Sequence, residues 1–199
     1  MKVSREQMAE NRLRILDVAS RLFREKGFDA VSVAEVMKAA GLTHGGFYGH
    51  FNSKDDLVAE TIGYALSHDG DGSVDLRAYL DEYLAPRHRD NAAAGCPTAG
   101  LAADIRHQTP AARAAMTAGL RSQIERVTKA LPNSDAADRR RAAIGTWAAM
   151  VGALILARAI DDTKLSDEVL EQTRAWIEAT LSSASPKQER RSHPGSRSS

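Results

Sequence analysis

The sequence has one cysteine, Cys96, so no disulfide can form within the chain. That fits a reducing compartment, and a cytoplasmic protein is expected. It has almost no net charge: 27 Lys and Arg against 26 Asp and Glu leave a formal +1. Composition therefore does not announce a nucleic-acid binder, and any DNA contact has to come from local placement of charge. A membrane-length apolar run is also lacking. The most apolar stretch, Ile144 to Ala157 between Arg141 and Arg158, is shorter than the roughly 18–20 residues of a span and reads as a buried helix. The start, Met1-Lys2-Val3-Ser4-Arg5-Glu6, has no apolar region, which argues against a signal peptide. There is no His-Glu-x-x-His and no cysteine pair, so the six histidines offer no metal-ligand spacing and no cofactor is expected. Asp104 and His107 share a helical face, but one such pair arises easily by chance, and the chain does not read as an enzyme.

What is present is helical periodicity. In 199 residues that are 43% hydrophobic and 27% charged, there is room for one large domain or a small one joined to a medium one. Ile15, Leu16, Ala19, Leu22 and Phe23 share one face of a first helix, with Ser4 and Gln7 as a capping box and Gly27 as its stop. Ser32-Val33-Ala34-Glu35 is a second capping box, opening a short helix that ends at Gly41. Thr43 is placed to cap a third helix running to about His50, and Ser53-Lys54-Asp55-Asp56 opens a fourth, with Leu57, Val58, Thr61, Ile62, Ala65 and Leu66 inside. After a break at Asp69-Gly70-Asp71-Gly72, a fifth helix carries Leu76, Tyr79, Leu80, Tyr83 and Leu84 and ends near Pro86. Cys96-Pro97 and Thr109-Pro110 begin a sixth and a seventh, since proline suits the first helical position, and the seventh stops at Pro132. Ser134–Ile160 and Ser166–Leu181 read as two long helices, the eighth and ninth, the latter capped by Ser166. From Ser183 onward the chain is polar and expected to be disordered.

The fold expected is thus all-α, about nine helices in two parts. Residues 1–52 form a three-helix, helix-turn-helix unit, and residues 53–182 form a second helical domain, with the helix at 53–68 connecting them. Ser32 to Phe51 has helix-turn-helix form: a capped helix, a glycine turn and a second short helix. Such a unit sets its second helix into the major groove, N-terminal residues towards the base edges. Taken alone the pattern is also common core architecture.

A wider set of residues decides between the two. Arg14-Ile15-Leu16, Leu22-Phe23, Gly27-Phe28, Val33, Ala39-Ala40-Gly41-Leu42, Gly45-Gly46-Phe47-Tyr48-Gly49-His50-Phe51 and Ser53-Lys54-Asp55-Asp56-Leu57 resemble the TetR/AcrR family of transcriptional regulators, without a gap over about residues 8–66. The resemblance implies an N-terminal DNA-reading domain and a C-terminal domain that dimerises and binds an effector. The partners implied are palindromic double-stranded operator DNA, a second copy of the chain and a small-molecule effector, with no membrane. On that reading Ser32 and Thr43, at helix N-termini, face phosphate oxygens. Tyr48 and Lys54 also reach the backbone, while His44 and Gly45 lead the recognition helix and His50 closes it. Each has a plainer reading as a cap or a solvated polar residue. Where the family often has a hydroxyl residue and a larger side chain, this chain has Gly46 and Gly49. Fewer side chains can then read bases, and specificity rests more on DNA shape.

In the C-terminal half, Gly145, Ala149 and Gly152 allow close helix approach with Leu156, Trp176 and Ile177 as bulk, a candidate dimer interface. Tyr64, Tyr83, Met116, Leu120, Trp147 and Met150 are candidates to line an effector pocket, or to be ordinary core. Cys96 falls at a helix start just after Arg87, His88 and Arg89, a setting that lowers a thiol's pKa. It reads as a sensor thiol or as a small buried one. A nucleoid-type protein would share the basic tail of Lys187, Arg190, Arg191 and Arg197, but would not need the second domain.

Overall fold

The structure, a computed structural model, describes residues 4–67, 75–131 and 135–183. The Asp69–Gly72 break, the Pro132 stop, the Ser134 start and the tail beyond Ser183 lie outside them. Among the described residues the chain is all helix: α1 (Arg5–Lys26), α2 (Val33–Ala39), a 3-10 helix (His44–Gly49), α3 (Lys54–Ser67), α4 (Leu76–Tyr83), α5 (Pro86–Asp90), α6 (Pro97–Leu101), a second 3-10 turn (Ile105–His107), α7 (Pro110–Ala130), α8 (Ala136–Ala159) and α9 (Thr163–Ser183).

Local chemistry explains most boundaries. The Ser4 hydroxyl accepts the Gln7 N–H at 3.0 Å, and Ser32 accepts that of Glu35 at 3.1 Å. Neither box is reciprocal, because Gln7 bonds Glu10 and Asn11 while Glu35 pairs with Lys26. Thr109-Pro110 opens α7 as expected, and the Thr109 hydroxyl adds a cap by accepting the Ala112 N–H. Four expectations need correction. The recognition element is 3-10 rather than α, and the Thr43 side chain makes no cap bond; Gly45, Gly46 and Gly49 weaken an α-helix there, and 3-10 geometry suits so short a piece. The helix expected to end near Pro86 does stop there, at Tyr83, but Pro86 opens a further helix, α5, too short to show a periodic stripe. Ser166 is not a cap. Helix α9 starts three residues earlier, held by Asp162, which accepts the Lys164 and Leu165 N–H groups at 2.9 and 3.3 Å. The fourth concerns its end, since α9 runs through Ser183, where the tail was expected to begin.

Two apolar clusters fill the interior. The first joins Ile15, Phe23, Val36, Met37, Phe47 and Phe51 of the N-terminal unit to Leu57 of α3, then continues along α3 to Leu66 and on to Leu101, Ala112 and Met116. The second holds Leu80, Tyr83, Cys96, Trp147, Met150, Leu154, Leu170 and Ile177. Helix α3 therefore belongs to both halves, packed on α1 on one side and on α7 on the other.

Helix α8 is long and apolar enough to cross a membrane by length and composition, which corrects the expectation that its apolar run is too short. Much of it is not covered within the subunit. Ile144, Ile155 and Leu156 on α8 and Leu165 and Trp176 on α9 are large apolar side chains left exposed. Gly145 is exposed, and Ala149 and Gly152 are half-buried. Ile177, expected on the same stripe, is buried at 1% exposure in the second cluster and belongs to the subunit's own core.

Candidate functional site

The helix-turn-helix turn is made by Gly41, whose φ of +70° lies in the left-handed region that costs a glycine no steric strain. It turns the chain from α2 into the 3-10 helix, where only Phe47 points inward. Phe47 is 1% exposed and stacks on Phe51 with ring centroids 5.7 Å apart. Burying a ring of this kind is worth about 1.5–3 kcal/mol, which offsets the weak helix propensity of the glycines around it. With Phe47 inside, Thr43, His44, Gly45, Gly46, Tyr48 and Gly49 are all exposed. Tyr48, at 70% exposure, lies edge-on to both Phe47 and His44. Lys54, the first residue of α3, is half-buried beside this face, and Ser32 is exposed at the start of α2. A face without large apolar groups, bounded by hydroxyls, two histidines and a lysine, suits a nucleic-acid backbone.

His50 is half-buried, and burial first, then the Arg12 charge, hold its pKa below the ordinary histidine value. Arg12 escaped the sequence reading. Its guanidinium lies 4.8 Å over the Phe51 ring and pairs with Glu60 of α3, tying α1 to the exit of the recognition element. An arginine three residues before the apolar face that begins at Ile15 is the signal the sequence offered for it.

The C-terminal half has a cavity of about 330 Å³ where α1, α3, α4 and the α5–α6 connection meet, lined by Arg24, Tyr79, Glu82, Tyr83, His88 and Cys96 among others. Of the residues proposed for a pocket, it takes Tyr83 and Cys96. Trp147 backs the Tyr83 ring edge-on at 5.6 Å, and Met150 is fully buried core. Met116 belongs to the first cluster, and Leu120 and Tyr64 are half-buried away from this cavity. Burial, and then the Cys96 thiol beside it, push the Tyr83 phenol far above its usual range.

The surroundings of Cys96 differ from those expected. Helix α6 is only five residues long, so its macrodipole is slight. Arg87 is paired with Glu82, and Arg89 reaches away to Asp167 and the Ser166 hydroxyl. Two other cations lie near the thiol, Arg158 from α8 and Arg24 from α1. Burial lowers the pKa of Arg158 while Tyr83 and Cys96 act the other way. Its guanidinium donates to the carbonyls of His88 and Arg89 at 2.9 and 3.0 Å. Arg24, from α1, donates to the Gly95 carbonyl at 3.2 Å. Gly95 is required by crowding: a Cβ there would lie 2.6 Å from Arg158 Nη2 and 3.0 Å from the Asn91 carbonyl oxygen.

Comparison with known proteins places this geometry. The family model for bacterial regulatory proteins of the tetR family matches residues 15–61, and that for a tetracyclin repressor-like C-terminal domain matches residues 72–173. The HTH-type transcriptional regulator AcrR of Shigella flexneri is 41% identical over 73 residues, 37% of this chain and 33% of that protein. The HTH-type transcriptional repressor KstR2 of Rhodococcus jostii is 34% identical over 84 residues, 42% of this chain and 34% of that protein. The match spans about a third of the length of these curated relatives. Among solved structures, reduced E. coli NemR superposes with a TM-score of 0.64 at 22% identity, over 85% of this chain and 96% of its own. A TetR-family regulator from Agrobacterium tumefaciens gives 0.68 at 21%, over 90% and 100%. These likenesses show a shared fold over most of the chain, and with both family models matched, the chain belongs to the TetR family of bacterial regulatory proteins.

Proposed function

We propose that this chain is a sequence-specific, cytoplasmic DNA-binding regulator, a repressor that binds a palindromic operator as a homodimer and leaves it when an effector or thiol reagent reaches the C-terminal half. It is read as a regulator and not as an enzyme. The observation that carries the DNA-binding part is the anchoring of the recognition element through Phe47 alone, which leaves Thr43, His44, Gly45, Gly46 and Tyr48 free to meet a groove. Ser32, Lys54 and His50 complete that surface. The exposed apolar stripe of α8 and α9, from Ile144 and Gly145 to Leu156 and Trp176, supports assembly with a second copy. A reader of two half-sites needs such a pairing.

For the effector, the cavity beside Tyr83 and Cys96 has room for a small ligand, and its lining of Arg24, Glu82 and His88 beside the Tyr79 and Tyr83 rings supports one that carries both polar and apolar groups. The alternative trigger is Cys96 itself: its thiol loses a proton to solvent and the thiolate adds to the β-carbon of an electron-poor alkene, whose π pair moves to the α-carbon and takes up a proton from solvent. A gel shift and footprint on the promoter next to the chain's own gene, with unrelated competitor DNA, tests the reading. A protected palindrome is expected. Binding that competitor DNA removes as readily would assign the chain to non-specific DNA packaging instead.

A further inference from the structure

Both ring nitrogens of His88 are committed. The Cys96 N–H donates to Nε2 at 2.9 Å, so Nε2 carries a lone pair and no proton. Nδ1 lies 2.6 Å from the Tyr83 carbonyl oxygen, an acceptor only, so Nδ1 carries the proton and donates. The ring is therefore neutral and held in one tautomer. It stands edge-on to the Tyr83 ring at 4.7 Å.

We propose that His88 is an acid-sensitive latch, whose protonation releases the connection between α5 and α6 and with it the Arg24 tie from α1 to the effector half. A protonated ring offers two donors, and the Cys96 N–H would then face another N–H. The connection has no slack to absorb this, because a Cβ at Gly95 would already lie 3.1 Å from His88 Cδ2. The charges around the ring make the new cation unwelcome. Arg158 of α8 donates to the His88 carbonyl itself. Arg24 of α1 holds the next carbonyl but one along from Ala93, that of Gly95. On α4, Tyr79 and Tyr83 are neutral phenols and Glu82 is already bonded to Arg87 of α5. Arg89, also on α5, is paired with Asp90 and Asp167, and Cys96 is a further titratable neighbour. The latched form binds fewer protons at His88 than the opened one, so acid drives opening.

The output of this latch rests on the operator-binding reading; its input does not. The test uses the full chain and follows the histidine ¹H–¹⁵N signals and the reaction of Cys96 with 2,2′-dipyridyl disulfide, which attacks thiols in acid as well as at neutrality. At about pH 7.5 the His88 signal should be that of the neutral Nδ1–H tautomer. Towards about pH 5, relative to His88→Gln, Cys96 should react at least about tenfold faster, the change that one pH unit of proton linkage gives. The glutamine amide keeps one donor and one acceptor but does not titrate. An Nε2–H tautomer near neutrality, or the same acid acceleration in His88→Gln, would overturn the latch. Operator affinity should fall in acid in the wild type, and Arg24→Gln should uncouple it from pH while leaving the thiol response. If the thiol responds and operator affinity in the wild type follows that of His88→Gln, the coupling to α1 is wrong. A chain that binds no operator at any pH, yet shows the tautomer and the thiol response, would support the latch and overturn only the operator-binding reading.

Discussion

Gly119 on α7 lies so close to Leu66 on α3 that a Cβ added there would stand 2.6 Å from the Leu66 Cβ. This contact sits in the seam between the helix that carries the DNA-reading unit and the effector half. Gly119→Ala should therefore destabilise the protein. Alanine gains up to about 1 kcal/mol in helix propensity, but overpacking a buried seam costs about 1–3 kcal/mol. The overlap wins because the Leu66 Cβ cannot swing away as a side-chain end could. Urea unfolding should show the loss, and Leu66→Gly in the same chain, which removes the Cβ that alanine would keep, should recover part of it as a coupling energy. A Gly119→Ala protein as stable as wild type would mean the seam is looser than drawn.

On the DNA face, Lys54→Ala should weaken binding to every sequence and lower the salt slope by about one unit, the signature of a lost phosphate contact. His44→Ala should instead relax preference at particular base pairs, since His44 leads the exposed face. Wild-type affinity and salt response in both variants would exclude this docking.

For assembly, Leu156→Glu and Trp176→Glu place charge on side chains that are 57% and 56% exposed in the subunit. They should convert a dimer to a monomer in sedimentation with helix content unchanged. Ile177→Ala should do the opposite: keep the dimer and destabilise each subunit by about 2–5 kcal/mol, as expected for a buried aliphatic truncation. In the dimer the two recognition elements should stand about 34–36 Å apart, or reach that spacing, to meet successive grooves.

What the sequence revealed and what it hid divide along a physical line. Caps such as Ser4, Ser32 and Thr109, and stripes such as Ile15 to Phe23, act over three or four residues and can be read directly. The 3-10 form of His44–Gly49 was foreshadowed by its glycines, yet the tightening depends on Phe47 finding the first cluster. Arg24, His88 and Arg158 could not be read at all. Their partners lie some seventy residues away for the arginines, and no periodicity marks a guanidinium that turns inward to hold carbonyl groups. Ile177 and Trp176 show the same limit at one-residue scale: adjacent in sequence, they face the core and the open side respectively.

His50 carries a pH prediction of its own. Its folded pKa is depressed, first by burial and then by Arg12, so the unfolded chain binds more protons than the folded one in the range just below the ordinary histidine value. Stability at His50 is therefore present above about pH 6.5 and declines as pH falls through that value. His50→Gln should flatten this part of the profile, measured as unfolding free energy against pH beside wild type. An unchanged slope would show that His50 titrates as a free histidine.

Cys96 is 7% exposed, with Arg158 as a nearby cation and no room at Gly95. An adduct on the sulfur has to displace something, and α6 lies against α1, α8 and α3. A Cβ on Gly100 of α6 would stand 3.3 Å from Arg24 Cγ of α1. Alkylation should therefore push α6 against α1, break the Arg24 bond to the Gly95 carbonyl and spoil the spacing of the paired recognition elements. A shift of a few kcal/mol is enough, since each 1.4 kcal/mol changes an equilibrium about tenfold. Cys96→Ser should keep operator affinity and lose the response to electrophiles. Arg158→Gln should slow alkylation by removing a cation that favours the thiolate. The measurement is the pH dependence of alkylation rate, followed beside operator binding. An ordinary thiol pKa of about 8.5, or an alkylated protein that still binds its operator fully, would make Cys96 a packing residue and leave a non-covalent ligand as the trigger.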